Sequence, residues 1–151
     1  MAQSLSKLYI HLIFHIKYDS VKIQSENKKA LYAYMGSIIN DNQSVPILIN
    51  GTGDHIHILC IMSKNIALAK LTEEIKRHSS RWIKTQGSGY KSFGWQGGYA
   101  GFSVSQSLHD KTKKYIQNQE EHHKKMTFKE ELFLFLNEYG IEYDEKYLWS
   151  D

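Results

Sequence analysis

The chain has 151 residues, 41% hydrophobic and 23% charged, an ordinary globular composition that argues against disorder and a length suited to one domain with one core. Its single cysteine, Cys60, excludes an intrachain disulfide and, with no secretory leader in view, points to a reducing, cytoplasmic compartment. A net charge of +3 and a pI near 8.8 permit nucleic-acid binding without deciding it.

The apolar-rich stretch 8–16 is interrupted by His11 and His15 and is too short to span a bilayer. It reads instead as a strand over 7–18, and no membrane partner is expected. Leu8, Ile10, Leu12, Phe14 and Ile16 share one face, the core side, while Tyr9, His11, Ile13, His15 and Lys17 give the other face polar chemistry. A helix over 26–39 follows, with Leu31, Tyr34, Met35, Ile38 and Ile39 at the spacing of a buried stripe. Two short strands, 45–50 and 55–62, flank the turn-rich stretch 51–54 and form a hairpin. A second helix spans 66–84, with Asn65 as its N-cap and Leu68, Leu71, Ile75 and Trp82 on one face. Stretch 95–105 is a glycine-loosened strand in which Gly97, Gly98 and Gly101 mark bulges or close backbone approach.

This β-α-β-β-α-β order predicts an α+β, ferredoxin-like or RRM-like sheet with helices on one face and the other face open for function. Two more helices follow: one over 107–125, opened by Ser107 and Asp110, and one from Thr127 and Glu130 to Tyr139, closed by Gly140. The last has the apolar stripe Leu132, Phe135, Leu136 and Tyr139. The one before it offers only Leu108, Tyr115 and Ile116, too few for a broad buried face, and suits a mobile or cross-subunit element. The whole chain, 1–151, is expected to be one domain: a core over 7–105, the tyrosine-bearing helix over 107–125, and a helix and tail over 127–151.

His55 and His57 alternate on a strand, so both imidazoles face the same side, close enough to grip one ion. A His-x-His pair alone is also compatible with two ordinary edge histidines, and two ligands leave a metal site incomplete. Tyr115 and Gln119, one helical turn apart, supply the missing part. The carboxamide oxygen of Gln119 is a hard, neutral ligand suited, with two imidazoles, to Mg²⁺ or Mn²⁺ on a phosphate substrate. The Tyr115 phenol, ordinarily a weak nucleophile, would conserve the energy of a broken phosphodiester as a phosphotyrosine. Standing alone, it would be a surface aromatic.

Together these residues resemble a known set. His55-Ile56-His57 is similar to the His-hydrophobic-His motif of HUH endonucleases. Tyr115 and Gln119, followed by His122 and His123, look like the catalytic helix of the single-tyrosine transposases of small bacterial insertion sequences. The stretches 9–14, 93–105 and 140–147 match that family as well. The resemblance implies action on single-stranded DNA with hairpin ends. His55, His57 and Gln119 would hold a divalent cation, Mg²⁺ or Mn²⁺, and Tyr115 would take the 5′-phosphate and release a 3′-hydroxyl. It also implies a homodimer, with the tyrosine helix placed in cis or in trans. Lys76, Arg77, Arg81 and Lys84 would contact backbone phosphate, unless they form only a solvated helix face. Trp95, Tyr99 and Phe102 would stack on bases or lie in the core. His122 and His123 are expected to be solvated near the site, and His78 and His109 to lie on the surface.

Among rivals, a relaxase commonly brings a third histidine and a larger chain, and a histidine-triad hydrolase needs histidine where Leu59 stands. A domesticated, non-catalytic hairpin-binding protein keeps the fold, but all four active-site residues are present here.

Overall fold

In the computed structural model, which describes residues 2–149, β1 (Leu8–His15) feeds two cores. Leu12 and Phe14 point to one side of the sheet, and Tyr9, His11 and Ile13 to the other. All five are buried. The chain continues through α1 (Ser25–Asp41), β2 (Val45–Gly51), β3 (His55–Met62), α2 (Leu68–Lys84) and β4 (Ala100–Val104). It ends in α3 (His109–Gln117), α4 (Gln119–His122), α5 (Phe128–Glu138) and α6 (Glu145–Leu148). The strands lie in the order β2-β3-β1-β4 and every neighbouring pair is antiparallel, the split β-α-β arrangement of the expected ferredoxin-like sheet. No helix among the described residues is long and apolar enough to cross a membrane.

The stripes predicted for the first two helices do their work on one face. Leu31, Met35, Ile38 and Ile39 of α1 and Leu71, Ile75 and Ile83 of α2 pack on Leu12, Phe14, Ile56, Ile58 and Cys60. Each such burial contributes about 1.5–3 kcal/mol. Trp82 is only half-buried and stacks on Tyr34 across the helix pair.

The opposite face is not open, contrary to expectation. Helix α3 covers Tyr9, Leu59 and Val104 with Ile116, while α5 covers Ile13 and Phe102 with Leu132 and Leu136. The strands are apolar at both parities, so both faces need cover. Ile116 is the one buried residue of α3, in keeping with its thin apolar face.

Local signals were kept or lost according to their competitors. Asn65 does not cap α2: the N-cap is Ala67, and the Asn65 N–H donates to Ser63 Oγ. Nor do Ser107 and Asp110 open α3, whose N-cap is Leu108. Ser107 pairs with Ser105, and Asp110 with His109. The helix expected over 107–125 breaks at Asn118, which separates α3 from α4. Thr127 does cap α5, accepting the Glu130 N–H. Gly140, at φ +63°, closes it: Ile141 N–H donates to Leu136 O and Gly140 N–H to Asn137 O. The hairpin at 51–54 depends on Gly51, where a Cβ would lie 2.1 Å from His55 O. The strand expected over 95–105 shortens to β4, with Trp95 making one isolated bridge to Ile16. Gly101 is the close approach there, since a Cβ would meet Leu68 Cδ2 at 2.8 Å.

Candidate active site

Strand alternation places His55 and His57 on the face beneath α3 and α5, both fully buried. Each ring is held by its Nδ1. Asp54 Oδ1 lies 2.7 Å from His55 Nδ1 and is itself held by the Thr52 hydroxyl at 2.7 Å. His11 Nε2 lies 2.8 Å from His57 Nδ1. The two Nε2 atoms therefore turn inward together.

They converge on Glu131 of α5, whose Oε1 is 2.8 Å from His57 Nε2 and 3.5 Å from His55 Nε2. Gln119 Oε1 is 3.0 Å from His55 Nε2, and the Gln119 amide donates to Glu131 Oε2 at 3.2 Å. The Tyr115 hydroxyl donates to the same Oε2. Tyr115 and Gln119 thus reach one carboxylate even though the helix breaks between them. Asn50 steadies that break by donating to Ile116 O at 2.9 Å and to Gln117 O at 3.2 Å. All of this is assembled within one chain.

The second histidine pair is not simply solvated. His122 stacks on the Tyr115 ring, with centroids 4.4 Å apart, and His123 Nε2 lies 3.2 Å from Glu131 Oε1. His15 points elsewhere, donating through Nδ1 to Ile16 O at 2.8 Å. His78 pairs with Glu74 on α2, and His109 packs beside Tyr9.

Charge inside the site is polarised. Burial disfavours a charged His55, but the Asp54 and Glu131 carboxylates outweigh it and raise its pKa to about 9. Burial lowers His57 to about 4, and burial with the neighbouring His57 lowers His11 to about 3. Burial would raise Glu131, yet hydrogen bonds from His55, His57 and Tyr115 hold it far below the carboxylate range. Burial, then the adjacent Glu131 charge, pushes the Tyr115 phenol well above its usual value. In this state the cation is imidazolium and the phenol is protonated.

His55, His57 and Glu131 form a buried cluster able to hold a metal ion. Their ligand atoms all lie within 4.8 Å of one another, Glu131 Oε1 standing 2.8 and 3.5 Å from the two Nε2 atoms and Gln119 Oε1 3.0 Å from that of His55. Two imidazoles with carboxylate and carboxamide oxygens are a donor set suited to a divalent cation. Glu131 escaped the sequence reading, although a signal was present. Phe128, Glu131, Leu132 and Phe135 share the spacing of a buried stripe, so a carboxylate sits where an apolar residue is expected.

The basic cluster lies apart, on α2 across the sheet. Lys76 donates to the carbonyls of Gln96 and Gly98, and burial lowers it to about 8. Arg77 pairs with Glu74 at 2.9 Å, while Arg81 and Lys84 are exposed in the last turn. Trp95 and Phe102 are core residues, with Trp95 Nε1 donating to Ser79 Oγ at 3.0 Å. Tyr99 is exposed.

No curated protein matches the sequence. Among solved structures, a candidate transposase from Deinococcus radiodurans R1 is 20% identical with a TM-score of 0.60, covering 79% of this chain and 98% of that one. A REP-associated tyrosine transposase bound to a REP hairpin is 12% identical with the same TM-score, covering 82% of this chain and 74% of that one. Both share the fold. The family described as "Transposase IS200 like" matches residues 4–119, a stretch that runs from before the first strand to Gln119 and includes His55, His57 and Tyr115. A match over that much of the chain places it, as the histidine, tyrosine and glutamine motifs suggested, in the IS200-like, single-tyrosine HUH transposase family.

Proposed function

We propose that this transposase cuts and rejoins single-stranded DNA at hairpin-bearing element ends, with Tyr115 as the nucleophile. One observation carries the reading: the Tyr115 phenol, the Gln119 carboxamide and the His55 and His57 imidazoles meet at Glu131, all within one chain. His55, His57 and Gln119 are the expected ligands of a divalent cation, Mg²⁺ or Mn²⁺, and Glu131 joins them. A bound ion supplies Lewis-acid polarisation of the scissile phosphate.

The protein's own groups do the rest. Asp54 and His11 orient the two imidazoles, and Asn50 holds the end of α3 that carries Tyr115. Stacking on His122 fixes the plane of the phenol ring. In the reaction the Tyr115 hydroxyl gives up its proton as its oxygen bonds to phosphorus. The bond from phosphorus to the 3′-oxygen breaks, that oxygen takes up a proton to leave as the 3′-hydroxyl, and the 5′-phosphate stays on the tyrosine. The released 3′-hydroxyl reverses the same exchange at another phosphotyrosine, so rejoining needs no nucleotide hydrolysis.

The hairpin-bound structural neighbour supports a hairpin substrate. Lys76, Arg77, Arg81 and Lys84 are proposed as phosphate contacts. Of these, Arg81 and Lys84 are the better placed, since Lys76 and Arg77 already have partners. The working form is proposed to be a single-domain homodimer in the cytoplasm, a compartment consistent with a DNA substrate and a buried lone thiol.

The test is adduct formation. With Mn²⁺ or Mg²⁺ and labelled single-stranded DNA carrying a hairpin end, wild type forms a denaturation-resistant protein–DNA adduct and Tyr115→Phe forms none. Equal cleavage by Tyr115→Phe would remove the nucleophile assignment. Hairpin binding by wild type without any adduct would point to a binding protein that has lost its chemistry.

A further inference from the structure

His11 is a histidine that the metal set does not use. It sits on β1, diagonal to His57 across the β1–β3 ladder, which pairs Ile13 with His57 and His11 with Leu59. It is 2% exposed, and Phe135 stands edge-on at 5.2 Å between ring centroids. Its Nε2 faces His57 Nδ1 at 2.8 Å, behind the ring and away from the Nε2 that meets Glu131.

That contact has two possible directions. While His57 Nε2–H donates to Glu131, His57 Nδ1 is bare and His11 Nε2–H must be the donor. An ion on His57 Nε2 requires that nitrogen to be unprotonated, so the proton moves to Nδ1 and His57 becomes the donor to His11 Nε2. Asp54, which only accepts when ionised, serves His55 in either state because His55 always donates to it. A partner for His57 has to serve as donor or acceptor, and a neutral imidazole does both.

We propose that His11 is the positioning residue for His57, an amphoteric partner that fixes the His57 ring and accommodates the tautomer that binds metal. The inference rests on the metal-dependent reading above. Partners of this kind carry about 10–100-fold in metal affinity.

Calorimetric titration with MnCl₂, repeated on His57→Ala, His11→Phe and His11→Gln, tests it. Wild type binds and His57→Ala loses most of that affinity. His11→Phe, which keeps ring volume without a polar atom, weakens binding about 10–100-fold. His11→Gln, whose amide can donate or accept, returns to within a few-fold of wild type. Wild-type affinity in His11→Phe overturns the role of His11 alone, whereas no Mn²⁺ binding by wild type overturns it together with the metal reading. Long-range ¹⁵N–¹H imidazole spectra of the Mg²⁺-loaded wild type give a check that needs no variant to fold. They are expected to show both His57 and His11 carrying their proton on Nδ1, and a His11 protonated on Nε2 would reject the proposal.

Discussion

Without metal, the site depends on protons, and its linkage signs can be worked out group by group. His55 has a folded pKa near 9, above the unfolded value of about 6.5. Its stabilisation is complete below about pH 6.5 and is lost as pH rises through 9. His57 and His11 have folded values near 4 and 3, below the unfolded value. They favour the unfolded chain increasingly as pH falls from about 6.5 toward those values. Glu131, held low, loses its contribution in the same acidic direction. Urea midpoints measured in chelator should therefore peak near pH 6.5–7 and decline on both sides. His55→Gln should flatten the alkaline limb, and an unchanged alkaline limb would show that His55 is not the charged imidazole.

At the scale of elements, α5 decides access. His55, His57 and Gln119 are fully buried and Glu131 is 1% exposed, so no phosphate reaches them while α5 lies across the face. A groove of about 190 Å³ between α3 and α5, lined by His11, Lys111, Tyr115 and Phe135, runs alongside. On the proposed reading catalysis calls for α5 to lift, which takes Glu131 away from the ion and leaves it to His55, His57 and Gln119. Adding metal and hairpin DNA should speed amide exchange across residues 128–138. Turnover with undisturbed exchange there would mean that substrate enters past a seated helix. Helix α3 is the opposite case, because it has one buried residue, Ile116, and leans on the Asn50 carboxamide. Asn50→Ala should cost about 1–2 kcal/mol and slow adduct formation without weakening hairpin binding. A rate equal to wild type would show that α3 is held by other contacts.

At the scale of the whole molecule, the C-terminal segment is part of the folded core. Ile13 and Phe102 are 1% and 2% exposed because Leu132 and Leu136 cover them. A chain ending at Met126 should bind a hydrophobic dye and unfold at lower urea than the full chain; an equal midpoint would show that α5 adds no stability. By itself the sequence determined the β-α-β-β-α-β order of the core, the two helix stripes, the His55–His57 pair and the family, because these follow from local periodicity and short motifs. It also marked Tyr115 and Gln119, four residues apart. Only the tertiary structure decided that the second sheet face is covered and that the helix breaks at Asn118. It likewise brought Glu131 to His57, 74 residues away in sequence, and set His11 behind that same ring, 46 away. Such meetings depend on which elements pack together. The alternation of a strand says which face a side chain takes, but not what will lie against it.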